Sequence, residues 1–431
     1  MPVRQRQEIQ EVLWKMRTVL KRLVFCWTSV NLLTLSFPPF NIGIFAWFAF
    51  VPLFFVLQEL SIPGAFLTAY LAGVIFWAFT IYWLIHVTLP GMILLVLYLS
   101  VYFGLFALFF KLLGRGRWLT TLDLVILPAA WVLFEYTRSF LFTGFPWALL
   151  GYSQYLNLPV IQIADRVGAW GVSFLVMSAN VAFYRFLNSN LARMTKGEKT
   201  LFFIFHSLLP FLLLSFCLGY GYDRLRAPRL SASGSALKVS VIQGSVPQHR
   251  KWDRDFRETI LKRYEMLTRE AAKEKPDLII WPETALPAVL EEEPRLLDRV
   301  LKLAKRSGSF LLVGAVTTRG PQAAGRDMDT YCNSALLISA DGKVVQQYDK
   351  LHLVPFGEYV PLERYFPFLR SLIGAPIGDF TPGKKYTVFN MRAREAQDAG
   401  SQDKFAVLIC FEDIFPGLSR RFVEEGAEFL V

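Results

Sequence analysis

The chain has 431 residues, of which 54% are hydrophobic and 19% charged, with a formal net charge of +11. It is too long for one ordinary domain, and soluble domains carry about 25% charged residues, so part of the chain is expected in lipid. The basic residues form no stripe interleaved with aromatics, which argues against a nucleic-acid partner. The four cysteines and four histidines have no zinc-type spacing, so neither metal nor cofactor is expected.

From Leu20 to about Tyr220 the residues are mostly Leu, Phe, Val, Ala and Trp, and from Asp223 onward the chain reads as a soluble α/β protein. The expected division is therefore 1–222, a multi-span α-helical membrane domain of about seven helices, and 223–431, a catalytic-type domain. A bilayer span needs about 20 apolar residues, and candidate spans lie at 20–37, 41–60, 64–86, 91–113, 119–140, 160–187 and 200–220. Pro38 and Pro39 separate the first two.

Basic residues mark one face: Arg4, Arg6, Lys15, Arg17, Lys21 and Arg22 in the tail, then Lys111, Arg115, Arg117, Arg185, Arg193, Lys196 and Lys199 in the loops. The positive-inside rule makes that face cytoplasmic and puts the soluble half outside. In the fifth span Glu135 and Arg138 stand one helical turn apart. They read either as a neutralising pair at the interface or as a site for a polar headgroup.

Beyond Leu237, strand-like runs at 238–244, 277–283, 310–316, 333–339, 343–349, 405–410 and 427–431 alternate with helical stretches at 257–274, 291–307 and 416–426. That alternation predicts a layered α/β domain. Three segments carry chemistry: IIWPETALP around Glu283, QQYDKLHLVPFGEYVP with Lys350 and Glu358, and VLICFEDIFP with Cys410.

A free thiol has a pKa of about 8.5 and needs a base or a cation to react at neutral pH. Glu283 can take the thiol proton, Lys350 can stabilise a thiolate and an oxyanion, and the Phe411 backbone N–H is a second oxyanion donor. A Cys–His pair using His352 is the other arrangement open to these residues. The apolar stretch 363–380, with Phe366 and Phe368, reads either as a lid dipping into the interface or as core packing.

WPET, YDKLHLVPFGEYVP and a strand ending in CFED resemble the Glu–Lys–Cys triad of the nitrilase (carbon–nitrogen hydrolase) superfamily. GFPWALLGYSQ at 144–154 and VIQGSVPQHRKWD at 241–253 resemble the apolipoprotein N-acyltransferase family within it. The resemblance implies an αββα sandwich in the second domain. It also implies transfer of an acyl chain from a phospholipid, through a cysteine thioester, to the N-terminal amine of a diacylated apolipoprotein.

By motif match Cys410 is the nucleophile, Glu283 the general base, Lys350 the oxyanion stabiliser and Glu358 a supporting glutamate. Trp252 and Glu412 match positions near the substrate path, and Trp147 matches the membrane-face loop. The implied setting is a monomer in the bacterial inner membrane with its catalytic domain on the periplasmic side. A membrane-tethered amidase and an inactive remnant are the alternatives. Two departures stand out: Phe411 occupies a position that is commonly Tyr, and the family pattern continues past Val431 with further strands and a last span, so the sandwich is expected to be incomplete.

Overall fold

The computed structural model describes residues 3–113, 122–189, 195–204, 208–227, 236–319, 330–361, 363, 365, 380–391 and 403–431. The chain divides into two compact units, Met1–Pro228 and Arg229–Val431. The division expected after residue 222 falls inside a helix that continues to Arg226.

The first unit is helical: α1 Val3–Leu35, α2 Val51–Glu59, α3 Ile62–Thr80, α4 Leu89–Leu113, α5 Asp123–Arg138, α6 Leu158–Ile161, α7 Ala164–Asn188, α8 Lys196–Phe203 and α9 Leu209–Arg226. Among the described residues α3, α4 and α7 are long and apolar enough to cross a membrane. The α3 helix exposes Leu67, Leu71, Ile75 and Phe79, a stripe with the i, i+4 period of a lipid-facing side. Its other side buries Ala65, Ala69, Ala72 and Phe76. Gly73 of α3 lies against Phe103, and Gly104 of α4 lies against Phe66, with no room for a Cβ at Gly104. Small residues let these two apolar helices close on each other where water supplies no hydrophobic drive.

The segment expected to span as 41–60 is instead a short 3-10 turn, Gly43–Trp47, followed by the nine-residue α2. Such a break exposes backbone groups that lipid cannot satisfy. Two side chains from distant helical segments supply the partners. The Asn180 amide donates to the Ala46 carbonyl at 2.8 Å while its oxygen accepts from the Phe50 N–H at 2.8 Å. Gln154 donates to the Gly43 carbonyl and accepts from the Trp47 indole.

Glu135 and Arg138 are not an exposed interface pair, because both are buried, at 2% and 3% exposure. Arg138 donates to the carbonyls of Phe145 at 2.7 Å, Trp147 at 2.9 Å and Ala148 at 3.3 Å, and its guanidinium lies over Trp77. Glu135 accepts from the Trp131 indole and the Leu150 N–H. Together they clasp the loop carrying Trp147 onto α5.

Lysine offers its donors from a single nitrogen and cannot reproduce the planar fork that Arg138 spreads across these carbonyls, so Arg138→Lys is expected to melt well below the parent in detergent. Arg138→Met should melt lower still, because each buried carbonyl left unpaired costs about 1–3 kcal/mol. Thermal unfolding followed by helical circular dichroism checks both.

The second unit has strands β1 Val239–Val241, β2 Leu278–Ile280, β3 Leu286–Val289, β4 Phe310–Arg319, β5 Thr330–Ile338, β6 Val344–Asp349, β7 Phe389–Asn390, β8 Lys404–Ala406 and β9 Phe429–Leu430. The first six form one sheet in the order β1-β2-β4-β5-β6, with β3 pairing β4 in line with β2; β7-β8-β9 form a second. Helices α10 Gln248–Lys251, α11 Arg257–Ala272, α12 Pro294–Ser307 and α13 Pro416–Glu424 complete it.

Strand side chains alternate between faces, and both faces of the large sheet are apolar. Leu311, Val313, Leu336 and Ile338 pack on Leu261 and Tyr264 of α11 and on Val300 and Leu303 of α12. Leu312, Ala335, Leu337 and Tyr348 point the other way and meet Phe389 and Phe405 of the second sheet and Phe422 of α13. This is the helix–sheet–sheet–helix layering expected from the resemblance.

Candidate active site

Two strand ends and two turns assemble the site. Glu283 lies three residues past β2, where the chain passes against Gly314 of β4 before continuing in the same direction as β3. The turn fits because residue 314 is glycine: a Cβ there would fall 2.7 Å from the Glu283 Cα. The next residue, Thr284, has φ +43°, a conformation costly for a β-branched side chain.

Lys350 follows β6 directly, its N–H bonded to the Asn333 carbonyl of β5 at 2.8 Å. Glu358 returns to Lys350 through a turn in which its carboxylate accepts the Val354 N–H at 2.8 Å and Phe356 adopts φ +59°. Cys410 opens the short helical turn Cys410–Ile414 with φ +55°. It does not end a strand as expected: β8 stops at Ala406, and an extended run carries the chain to the turn.

The buried Lys350 ammonium lies 3.0 Å from a Glu358 oxygen and 3.8 Å from a Glu283 oxygen. The Asn333 amide donates to both glutamates, at 2.7 Å to Glu283 and 2.9 Å to Glu358. Two carboxylates that would repel are thus held by one cation and one neutral fork. Cys410 reaches the surface, but protein packed around its sulfur, together with the Glu283 charge, pushes its thiol up to about 11, opposed by Lys350 and by the Phe411 N–H, which is directed at the sulfur. The thiol therefore keeps its proton at neutral pH until a base removes it, and Glu283 is the carboxylate placed to do so.

Glu412 takes a different place from the substrate-path position implied by the resemblance. It is fully buried. One oxygen accepts the Tyr348 hydroxyl at 2.8 Å and the N–H groups of Leu351 at 2.8 Å and His352 at 3.0 Å; the other accepts the Ile409 N–H at 2.8 Å. Burial pushes its carboxyl up against these four donors. Glu412 ties the nucleophile's turn to the chain just after Lys350. His352 gives its backbone N–H to this strut and packs its ring on Phe415, with centroids 4.0 Å apart.

Trp252 caps α10 and is half exposed, and Phe411 packs against Phe415. Trp147 belongs to the first unit, where it lies against Trp83 with ring centroids 5.3 Å apart. Phe366 and Phe368 of the expected lid lie outside the described residues.

Asn333 and Gly314 were not anticipated. Asn333 was detectable as a lone amide in the buried run of β5. Gly314 offered no such signal, because its role depends on a turn that crosses it. Among the described residues no group of three or more His, Cys, Asp or Glu side chains is gathered as a metal ion would require.

A cysteine beside a glutamate pair and a buried lysine, on two stacked sheets, defines a protein of the carbon–nitrogen hydrolase class. The Carbon-nitrogen hydrolase family matches residues 238–431, and the Apolipoprotein N-acyltransferase N-terminal domain matches 29–182. The chain belongs to the apolipoprotein N-acyltransferase family. It is 39% identical to the Apolipoprotein N-acyltransferase of Geobacter metallireducens over 414 residues, covering 93% of this chain and 74% of that one. It is 30% identical to that of Chlorobaculum tepidum over 421 residues, covering 93% and 76%. The Brucella suis relative is 34% identical over 330 residues, covering 75% and 58%. Three apolar helices and this membership make it a membrane protein.

Proposed function

We propose that this protein transfers an acyl chain from a membrane phospholipid to the N-terminal amine of a diacylated apolipoprotein, with Cys410 as nucleophile, Glu283 as proton carrier and Lys350 as oxyanion stabiliser. The observation that carries the reading is the junction of Glu283, Lys350, Glu358 and Cys410 in a chain 39% identical to a named N-acyltransferase over 93% of its length.

In the first half-reaction the thiol proton passes to Glu283 and the sulfur attacks the ester carbonyl. The C–O bond breaks, and Glu283 returns the proton to the leaving alkoxide, which departs as a lysophospholipid. In the second, the apolipoprotein amine attacks the thioester and loses a proton to Glu283. The C–S bond breaks, and the thiolate recovers that proton. Lys350 faces the oxyanion of both tetrahedral intermediates.

Glu358 and Asn333 hold Lys350 and Glu283 in register, and Glu412 holds the turn of Cys410. The bacterial inner membrane, with the second unit on its periplasmic side and the protein as a monomer, is the setting that fits a phospholipid donor and the basic residues of one face. A small-amide amidase is not favoured, since the match at 29–182 is to an N-acyltransferase domain.

The test is to incubate the membrane-embedded protein with phospholipid carrying a labelled acyl chain. A hydroxylamine-sensitive adduct is expected on the parent protein and not on Cys410→Ala. An adduct that survives in the alanine variant overturns the nucleophile assignment, and no adduct in either protein overturns the transferase reading.

A further inference from the structure

The clasp in the helical unit leaves part of Glu135 unused. One carboxylate oxygen accepts from the Trp131 indole and the Leu150 N–H. The other oxygen has no hydrogen-bond partner among the described residues, and neither has the Trp77 indole N–H on α3. Both side chains are buried. A buried acceptor and a buried donor are each costly to leave unpaired, and lipid supplies nothing to pair them.

Both residues line one cavity of about 20 Å³, walled by α1, α3, α4, α5 and the loop at 148–150. Tyr102 and Arg138 also line it, and the rest of the wall is mainly apolar. A purely apolar cavity stays dry, whereas one with at least two polar partners and about 10–15 Å³ of space holds a water. Tyr102 is a third partner. Its hydroxyl shares one hydrogen bond with Tyr98 at 2.6 Å and keeps further capacity whichever of the two donates.

The occupant has to accept from an indole N–H and donate to a carboxylate, which a water does and an acyl chain or a simple ion does not. We propose that this cavity is a water site: one resident water accepts from the Trp77 N–H, donates to the free oxygen of Glu135 and bonds the Tyr102 hydroxyl. It thereby joins α3, α4 and α5 at the clasp that holds the loop of Trp147. The proposal concerns the helical unit alone and does not rest on the reading of Cys410.

The test uses the full chain in detergent micelles and synchrotron X-ray radiolysis, which makes hydroxyl radicals from water where it stands. Oxidised side chains are read by mass spectrometry of the peptides. Trp281 is the control, being the same side chain at the same 2% exposure as Trp77, with its indole N–H paired to Thr268 at 2.9 Å. Label is expected on Trp77 and Tyr102 and not on Trp281, and it should persist when a scavenger removes radicals from the bulk solution. Trp77→Phe keeps a ring under the Arg138 guanidinium and removes the N–H, so Tyr102 should lose most of its label.

No label on Trp77, or equal label on Trp281, overturns the proposal. So does label that the scavenger abolishes, because the radicals then enter from outside. Unchanged label on Tyr102 in folded Trp77→Phe shows that the indole does not hold the water and overturns the bridge. If that variant does not fold, the label on the parent with and without scavenger decides.

Discussion

Glu283→Gln is expected to reduce acyl transfer by about 100- to 10,000-fold, the range lost when a positioned proton carrier is removed, while making Cys410 easier to ionise. The two effects have opposite signs for a physical reason. The Glu283 carboxylate both receives the thiol proton and, as a standing negative charge, raises the thiol. Glutamine removes the charge and the proton acceptor together but keeps the oxygen that accepts from Asn333. The pH midpoint for alkylation of Cys410 should therefore move below the parent's in the variant that has lost transfer. A midpoint that rises with the loss of transfer would mean that Glu283 acts on the thiol in some other way than through its charge.

Glu412→Ala has the second large effect, first on stability and through it on turnover. Removing this carboxylate leaves the N–H groups of Leu351, His352 and Ile409 and the Tyr348 hydroxyl without their acceptor in a buried site. Each orphaned donor costs about 1–3 kcal/mol, so with four of them the catalytic unit should lose at least about 4 kcal/mol. Tyr348→Phe removes one donor and its share of the acceptor, and should cost about 1 kcal/mol. Because the four groups bonded to Glu412 are all protein donors that fix the turn of Cys410, folded Glu412→Gln protein should show a reduced kcat at nearly unchanged KM. Thermal unfolding followed by near-ultraviolet circular dichroism, with a phospholipid transfer assay on the same samples, reads both quantities.

The candidate chemistry was legible because each reactive side chain sits at an end of a strand-like run, where local pattern is informative. Glu283 follows IIWP, Lys350 follows QQYD, and Glu358 lies one turn further on. The role of Glu412 was not legible. The motif match puts it near the substrate path, yet its partners are 60 residues or more away in Tyr348, Leu351 and His352. Nothing in the local run announces them.

The same holds for Glu135 and Arg138. A one-turn spacing reads as a surface pair, and only the loop folding back at 145–150 turns it into a buried clasp. The 41–60 segment is apolar enough to read as a span. Its interruption depends on Asn180 and Gln154, more than a hundred residues away.

By itself the sequence determined the apolar and the α/β halves and the candidate reactive side chains. Period, composition and motif are local properties carried by neighbouring residues. The tertiary structure alone decided which groups share a charge environment: Asn333 between two carboxylates, Gly314 beneath the base and Glu412 behind the nucleophile. Coulomb interactions and hydrogen bonds depend on separation in space, and strand pairing and chain reversal set that separation.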